Sequence, residues 1–294
     1  MTDITNTAIA LGTFDGVHAG HSAVLKEAVN SGFYSVCLAF RIPPKCFFSD
    51  ENIILTPESV KTRLIKEIGI KKVDYIDFTA VKDLSAEAFF YDIKAKYSPS
   101  LIVCGYDYSF GKGGKGDTEL LKRLCDKNGI SLKIIDKVTV NGETISSSFI
   151  RKLLINGEIE KANSLLPECF SIHGEVVHGD KRGTDINFPT INQYYPERAA
   201  KIKFGVYMSC TDINEKTYYG MTNIGIRPSF PVKKPLCETN LFDFSGDVYG
   251  QNIKIKLLSF IREEKTFSSL SELKDAIEND KKEILRKLKL LKED

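Results

Sequence analysis

The chain has 294 residues, of which 42% are hydrophobic and 27% charged, so a disordered or fibrous protein is excluded and two domains with real cores are expected. The formal net charge is only +2, with acids and bases mixed along most of the chain, so we expect no nucleic-acid partner. No segment resembles a signal peptide or approaches the roughly 20 apolar residues of a membrane span, so we expect a cytoplasmic protein without a membrane partner.

The first half of the chain alternates strand-like and helix-like segments. Short buried runs are each followed by apolar residues at helical spacing, which is typical of a Rossmann-like α/β domain with a parallel sheet. The predicted strands are 7–11, 35–40, 73–78, 101–103 and 132–135, and the predicted helices are 22–30, 57–68, 86–97, 118–128, 145–155 and 160–166.

A glycine-rich loop joins the first predicted strand to the first predicted helix. Gly12 and Gly16 permit a tight turn, and His18 and His21 follow three residues apart, on one face of the first helical turn. Backbone N–H groups and the positive end of the helix dipole favour an anion there. The loop therefore predicts a phosphate site suited to nucleotidyl transfer. The alternative is an accidental pair of histidines beside a glycine turn.

Two further segments are expected at the carboxyl edge of the same sheet, where ligands of open α/β sheets bind. Gly105 and Asp107 begin a Gly/Lys-rich loop, which could also be an ordinary solvated connection. Ser147 and Ser148 open a helix whose hydroxyls and amides suit the departing phosphates, with Arg151 neutralising their charge. The alternative for this group is a capped helix that carries a surface arginine.

Beyond residue 170 the pattern changes to closely spaced strand-like runs separated by turn signals. This pattern predicts a small antiparallel barrel closed by one long helix. The boundary falls near 166–170, which gives domains of 1–168 and 169–294. The predicted strands are 172–178, 205–211, 217–226, 238–244 and 253–261, and the predicted helix is 270–291.

The second half carries polar residues that suit another phosphate site. Its glycines recur every four to five residues from Gly174, so unhindered N–H groups can surround a phosphate chain. Thr190 and Asn192 face the same side if extended, and their oxygens suit Mg²⁺ held jointly with ATP. Glu238 could accept the proton of a bound alcohol during phosphoryl transfer. A Pro-Thr turn and an exposed strand-end glutamate are the alternatives.

These motifs resemble the bacterial bifunctional riboflavin kinase/FMN adenylyltransferase (FAD synthetase) family over nearly the full length. The first half carries a Gly-x-Phe-Asp-Gly-x-His-x-Gly-His loop and segments similar to Gly-x-Asp-Phe-x-Phe-Gly and Ser-Ser-Thr-x-Ile-Arg. The second half carries Phe-Pro-Thr-x-Asn, Gly-Val-Tyr, Asn-Ile-Gly-x-Arg-Pro and Asp-Phe-x-Gly-x-x-Tyr-Gly. In order, these motifs occupy 12–21, 105–111, 146–151, 188–192, 205–207, 223–228 and 243–250.

The resemblance implies a nucleotidyltransferase α/β domain followed by a six-stranded riboflavin kinase barrel. The implied enzyme phosphorylates riboflavin to FMN and adenylylates FMN to FAD, using ATP and Mg²⁺ in both steps. His18, His21, Arg151 and Glu238 would be catalytic, with Glu238 the base on the ribityl hydroxyl, and Thr190 and Asn192 would hold Mg²⁺-ATP. The implied substrate- and nucleotide-binding residues are Gly12, Phe14, Asp15, Gly16, Gly105, Asp107, Ser147, Ser148, Gly174, Gly179, Lys181, Gly183, Phe188 and Pro189.

Two departures from the family pattern keep rival hypotheses open. The chain has Pro43 near the position where the family usually has the histidine of Phe-x-Pro-His-Pro, and the segment from Gly183 to Thr190 lacks a usual arginine and glycine. One rival is an enzyme that retains only one of the two activities. The other is a non-catalytic regulator that senses flavin or nucleotide. The expected partners are riboflavin, FMN and ATP, in a monomer or weak homo-oligomer.

Overall fold

The computed structural model describes residues 6–48, 54–140, 142–178, 190–226 and 234–293. The chain forms two compact units, one of Met1–Ile150 with Leu165–Pro167 and one of Arg151–Ser164 with Glu168–Asp294. The helical stretch before residue 165 therefore belongs to the second unit by its contacts. A functional division between residues 168 and 169 stays a prediction.

The first unit is a parallel sheet with helices between successive strands, as the alternating pattern predicts. Its elements are β1 (Thr7–Gly12), α1 (Ala19–Asn30), β2 (Tyr34–Phe40), α2 (Glu58–Glu67), β3 (Lys72–Ile76), α3 (Phe78–Val81), α4 (Ala86–Tyr97), β4 (Pro99–Gly105), α5 (Thr118–Lys127) and β5 (Ser131–Ile135), followed by a small hairpin of β6 (Thr139–Val140) and β7 (Glu143–Thr144). The five main strands lie in the order β3-β2-β1-β4-β5.

The central strand β1 contributes to both cores of this unit. Ile9 and Leu11 pack into the core on the side of α4 and α5, whereas Ala8 and Ala10 pack into the core on the side of α1 and α2. Successive residues of a strand point to opposite faces, so an apolar run of this kind is buried on both sides. The loop that follows β1 therefore starts from the buried central strand of the sheet, at its carboxyl edge.

The second unit is a nearly closed antiparallel barrel of six strands, which confirms the barrel that the family resemblance implies. Its elements are α6 (Ser147–Asn156, whose first turn belongs to the first unit), α7 (Ile159–Leu165), β8 (Ser171–Glu175), β9 (Ile191–Tyr194), β10 (Gly205–Ile213), β11 (Lys216–Ile226), β12 (Pro235–Leu241), β13 (Asn252–Glu263) and α8 (Leu270–Glu293). The strand order is β8-β13-β10-β11-β12-β9, and a bridge between Val177 and Asn192 joins the two edges.

The predicted long helix, α8, is present and packs against the barrel. Val206 and Met208 of β10 share an apolar cluster with Ile284 and Leu288 of α8. Arg262 of β13 also forms an ion pair at 2.8 Å with Asp280 of α8, and the Asp280 side chain is buried. The outer face of the barrel is therefore covered at β10 and β13.

Several elements of the structure differ from the prediction, among them the following. The fourth predicted barrel strand corresponds to β12, which runs over 235–241 rather than 238–244. It ends there because Asp243, two residues later, adopts a left-handed conformation with φ of 55°. The third strand of the first unit ends at Ile76, since the Asp77 side chain accepts the backbone N–H of Thr79 and caps α3. The strand β9 was not predicted, because its four residues alternate in polarity too briefly to show a pattern.

Candidate active sites

The loop between β1 and α1 places its two histidines on one face. His18 is the N-cap of α1, and its imidazole stacks on that of His21 with ring centroids 3.7 Å apart and planes inclined by 21°. A Cβ atom at Gly20 would lie 3.3 Å from His18 Cε1, so glycine leaves room for the ring over the first turn. The i, i+3 spacing thus produces the paired arrangement that the sequence predicts.

The backbone of this loop is held in conformations that L-residues seldom adopt. Phe14 and Val17 have φ of 52° and 43°, and Gly16 has φ of 88°. The Phe14 ring lies under Gly12, where a Cβ atom would be 3.0 Å from Phe14 Cζ, and meets the His21 ring edge-on at 5.4 Å. Left-handed non-glycine residues cost on the order of 1–3 kcal/mol each and persist where the surroundings fix them. The surrounding packing therefore holds the loop backbone in the conformation that positions His18 and His21.

Asp15 has a structural use that the sequence did not reveal. Its carboxylate is buried and accepts the backbone N–H groups of Leu55 at 3.0 Å and Thr56 at 3.2 Å. These residues directly precede α2, so Asp15 ties the histidine loop to the start of that helix. A contact between Asp15 and the nucleotide stays a prediction.

A buried cation, Lys61 of α2, lies beside Asp15 and was missed from the sequence. Its side chain is 2% exposed, and its Nζ donates to the carbonyl oxygen of Phe40, the last residue of β2, at 2.7 Å. Burial lowers the pKa of Lys61, while the Asp15 carboxylate acts in the opposite direction. A lysine on a helix ordinarily indicates a solvated face. The one available signal was its place beside Val60 and Leu64, on the buried side of α2.

The first turn of α6 meets the histidine loop. Ser147 Oγ donates to the carbonyl oxygen of Asp15 at 2.9 Å and lies 3.5 Å from His18 Nε2. Ser146 Oγ accepts the backbone N–H of Phe149 and so caps the helix. The structure thus brings together the predicted Ser147 and His18, while Ser148 is exposed.

Arg151, one turn further along α6, is half-buried and has partners. By its contacts it belongs to the second unit. Its predicted role in neutralising phosphate charge stays a prediction.

The loop after β4 has an exposed start and a later part that packs against other elements. Gly105 ends β4, and Asp107 is exposed two residues later. Phe110 and Gly116 then exchange two backbone hydrogen bonds of 2.9 Å. A Cβ atom at Gly116 would lie 2.7 Å from Ala86 Cβ. Gly116 therefore allows close packing against α4, and Asp107 remains the candidate at the sheet edge.

Aromatic side chains follow β2, in the segment where the family histidine is missing. Pro43 is buried, and Phe47 and Phe48 after it are exposed to 42% and 76%. Both rings contact Phe78, with centroid distances of 5.1 and 5.5 Å. Large exposed aromatic surface of this kind marks a binding site more often than a lone exposed leucine does.

Three polar residues of the barrel lie side by side on neighbouring strands. Glu238 of β12 is directly opposite Asn223 of β11 on one side and Asn192 of β9 on the other. Side chains opposed in this way have Cβ atoms about 4.5–5.5 Å apart and can contact one ligand. Sequence reasoning assigned roles to Asn192 and Glu238 and missed Asn223, although Asn223 opens one of the recognised motifs.

Asn192 has an oxygen that suits a metal-nucleotide ligand. The residue is 4% exposed, and within the described ranges its buried Oδ1 accepts no hydrogen bond. Its Nδ2 donates to the carbonyl oxygen of Thr190 at 3.4 Å, which keeps these two predicted ligands adjacent. A hard cation such as Mg²⁺ prefers oxygen donors, so the residues present fit that ion.

Comparison with known proteins gives the family. A family model described as FAD synthetase matches residues 1–149, and one described as riboflavin kinase matches residues 166–288. The bifunctional riboflavin kinase/FMN adenylyltransferase of Bacillus subtilis is 35% identical, covering 95% of this chain and 92% of its own. The chain belongs to this family. The corresponding Escherichia coli K12 protein is 33% identical, covering 92% of this chain and 90% of its own.

A solved structure shows the same fold over almost the whole chain. A crystal structure described as a macrolide-efflux protein from Streptococcus pneumoniae is 28% identical, with a TM-score of 0.85, and covers 95% of this chain and 93% of its own. The FAD synthetase domain of the family thus contains the histidine loop, and its riboflavin kinase domain contains the Asn192–Glu238 pair. Within the described ranges, no helix is long and apolar enough to cross a membrane.

A second carboxylate, that of Glu264, lies near Glu238 in the riboflavin kinase domain. A Cβ atom at Gly225 would lie 1.7 Å from Glu264 Oε1, so the carboxylate rests against the glycine backbone of β11. Burial raises the pKa of Glu264, and the nearby Glu238 raises it further. Glu264 was missed from the sequence, because it lies in a charged run at the end of β13 and such runs are ordinarily solvated.

Part of the predicted kinase loop lies outside the described residues: Gly179, Lys181, Gly183, Phe188 and Pro189. Gly174 of β8 precedes this part of the loop, and its carbonyl oxygen accepts a hydrogen bond of 2.6 Å from Gln193 Nε2. His178 stacks on Tyr249 with ring centroids 3.9 Å apart. Contacts of Gly174 and of the undescribed residues with nucleotide stay predictions.

Proposed function

We propose that the protein converts riboflavin to FMN and then FMN to FAD, each step using one ATP. The observation that carries the proposal is that each unit holds its own set of polar groups suited to one of the two reactions. The stacked histidines with Ser147 suit adenylyl transfer, and the opposed pair of Asn192 and Glu238 suits phosphoryl transfer. Membership of a bifunctional family supports the same pairing.

In the adenylyl transfer, an FMN phosphate oxygen attacks the α-phosphorus of ATP and pyrophosphate leaves. The nucleophile has a second pKa of roughly 6 and is already ionised near neutrality, so the reaction needs no general base. His18 and His21 would donate to the phosphate oxygens on which charge increases, together with backbone N–H groups at the start of α1. Ser147 and Ser148 would bind the departing phosphates, with Arg151 neutralising their charge.

In the phosphoryl transfer, Glu238 would accept the proton of the ribityl hydroxyl whose oxygen attacks the γ-phosphorus, and ADP would leave. Thr190 and Asn192 would hold Mg²⁺ through their side-chain oxygens. When bound, this ion neutralises negative charge on the ATP phosphates. Asn223 would contact the same ligand from the other side of Glu238.

The absence of the family histidine near Pro43 leaves more of the phosphate binding to His18 and His21. With proline near the position of the family histidine, His18 and His21 supply the imidazole donors of this loop region. The exposed rings of Phe47 and Phe48 suit an apolar planar ring system such as a flavin. We also propose a cytoplasmic monomer or weak homo-oligomer that acts on small molecules and has no nucleic-acid partner, in line with the net charge of +2.

The test is to incubate the purified protein with riboflavin, Mg²⁺ and ATP and to separate the flavins by chromatography over time. We expect FMN to rise and fall while FAD accumulates. FMN as the final product would mean a silent first unit, and FAD formed only from supplied FMN would mean a silent barrel. Flavin binding without ATP turnover would contradict the proposal and support a sensing role.

A further inference from the structure

We propose that Lys61 is a positioning residue for adenylyl transfer, which acts through Asp15 and the end of β2 to keep the histidine loop in its reactive shape. The inference rests on the proposed adenylyltransferase function. Lys61 is buried, and its Nζ donates a hydrogen bond to the carbonyl oxygen of Phe40.

A buried lysine is costly and therefore needs a reason. Lysine is almost never fully buried unless its charge is compensated, because desolvation of an ammonium group is unfavourable. Lys61 is 2% exposed, donates one hydrogen bond of 2.7 Å, and lies 5.1 Å from the centre of the Tyr75 ring. A leucine or methionine would fill this place at a lower cost if packing were the only requirement.

Asp15 connects this cation to the reacting face. Its carboxylate attracts Lys61 and accepts the backbone N–H groups of Leu55 and Thr56. Its own carbonyl oxygen accepts Ser147 Oγ, which lies 3.5 Å from His18 Nε2. Asp15 is thus held through its carboxylate by the residues that precede α2, and through its carbonyl oxygen by the first turn of α6.

Removing the ammonium would take away the attraction between Lys61 and the buried Asp15 carboxylate. The carboxylate would then be drawn towards water, and the left-handed turn on either side of it, at Phe14 and Gly16, would move with it. A misplacement of about 1 Å costs roughly 10²-fold in rate when the reacting groups depend on alignment. Since the phosphate-binding groups themselves remain, kcat should fall more than KM rises.

Titration distinguishes this role from simple packing. Burial lowers the pKa of Lys61, with Asp15 opposing, so its ammonium is lost at a lower pH than that of a solvated lysine. Wild-type adenylylation should therefore decline on the alkaline side through this pKa. An arginine stays charged over the same range, so the Lys61→Arg variant should lack that decline. The titratable or charged groups that face Lys61 are Asp15, Cys37, Arg41, Glu58 and Tyr75.

The experiment uses the full chain as wild type, Lys61→Met, Lys61→Arg and the matched control Lys66→Met, which removes an exposed lysine of the same helix. FAD formation from supplied FMN is measured as kcat, KM and a pH profile. Thermal unfolding followed by circular dichroism of the same samples reports on folding, and FMN formation from riboflavin reports on the second unit alone. We expect Lys61→Met to lose roughly 10- to 100-fold in kcat for adenylylation, with little change in KM or in FMN formation, and Lys61→Arg to recover most of the loss.

Several outcomes would overturn the proposal. They are a wild-type kcat in Lys61→Met, a loss equal to that of Lys66→Met, and an alkaline decline in Lys61→Arg that matches the wild type. If Lys61→Met does not fold, the pH profile of Lys61→Arg decides. Absence of FAD formation by the wild type would instead contradict the proposed function, so the two failures are distinguishable.

Discussion

His18 and His21 stack with ring centroids 3.7 Å apart at the start of α1. Because the rings lie together at a helix N-terminus, whose backbone N–H groups and dipole favour an anion, both can donate to one phosphate chain. The two donors should therefore act as a unit rather than as independent contacts.

Substitution of His21 should affect only the adenylyl transfer. We expect His21→Ala to lower FAD formation from FMN by roughly 10²- to 10³-fold, the usual effect of losing one preorganised donor, while FMN formation is unchanged. The measurement is kcat for each half-reaction in the same preparation. His173→Ala, which removes a half-buried histidine of the other unit, should leave FAD formation from FMN unchanged. Comparable losses of both activities in folded His21→Ala would contradict the two-site assignment.

Substitution of Glu238 should have the reverse effect. Glu238→Gln keeps the shape of the side chain but cannot accept the substrate proton, so FMN formation should fall by about 10²- to 10⁴-fold. Adenylylation of supplied FMN should proceed as in the wild type. Glu215→Gln, in the exposed turn between β10 and β11, serves as the control and should change neither rate. A Glu238→Gln variant with the wild-type rate of FMN formation would exclude Glu238 as the base.

Asn192 should determine how much Mg²⁺ the kinase reaction needs. Its Oδ1 is buried and, among the described residues, accepts no hydrogen bond, so it is available to the ion. We expect Asn192→Ala to raise the Mg²⁺ concentration for half-maximal FMN formation by at least about 10-fold. Asn192→Asp, which keeps an oxygen at this position, should need less Mg²⁺ than Asn192→Ala. An unchanged Mg²⁺ dependence in Asn192→Ala would refute its role as a ligand.

The ion pair between Arg262 and Asp280 should stabilise the barrel against unfolding. The buried Asp280 carboxylate accepts hydrogen bonds from Arg262 Nε at 2.9 Å and from Nη2 at 2.8 Å. Asp280→Ala would leave the guanidinium without its partner and should lower the free energy of unfolding by about 3 kcal/mol. Urea denaturation followed by circular dichroism measures the change. Glu283→Ala, which breaks an exposed pair with Arg286 on the same helix, should show no measurable change.

The elements that sequence predicted well are those whose signals are local. The helix α4 runs from Ala86 to Tyr97 as predicted, because Ser85 caps its first turn and apolar residues recur at helical spacing. The histidine spacing likewise determined the stacked pair, since one turn of helix sets its geometry. Both depend on residues within a few positions of one another.

The features that sequence did not predict depend on residues distant in the chain. Asp15 accepts hydrogen bonds from residues 40 and 41 positions away, so its structural use shows only after folding. The burial of Lys61 likewise requires the carbonyl of Phe40 on another element. The short strand β9 gains its identity from pairing with β12, which places Asn192 opposite Glu238. Such contacts follow from the assembled sheets and leave no periodic signal.

In the proposed function, one chain uses two different phosphorus atoms of ATP at two separable sites. The most direct measurement supplies riboflavin, Mg²⁺ and ATP labelled at either the α- or the γ-phosphorus and follows the label into each flavin. We predict that γ-label enters both FMN and FAD, whereas α-label enters FAD alone. FAD without α-label, or FMN without γ-label, would contradict the claim.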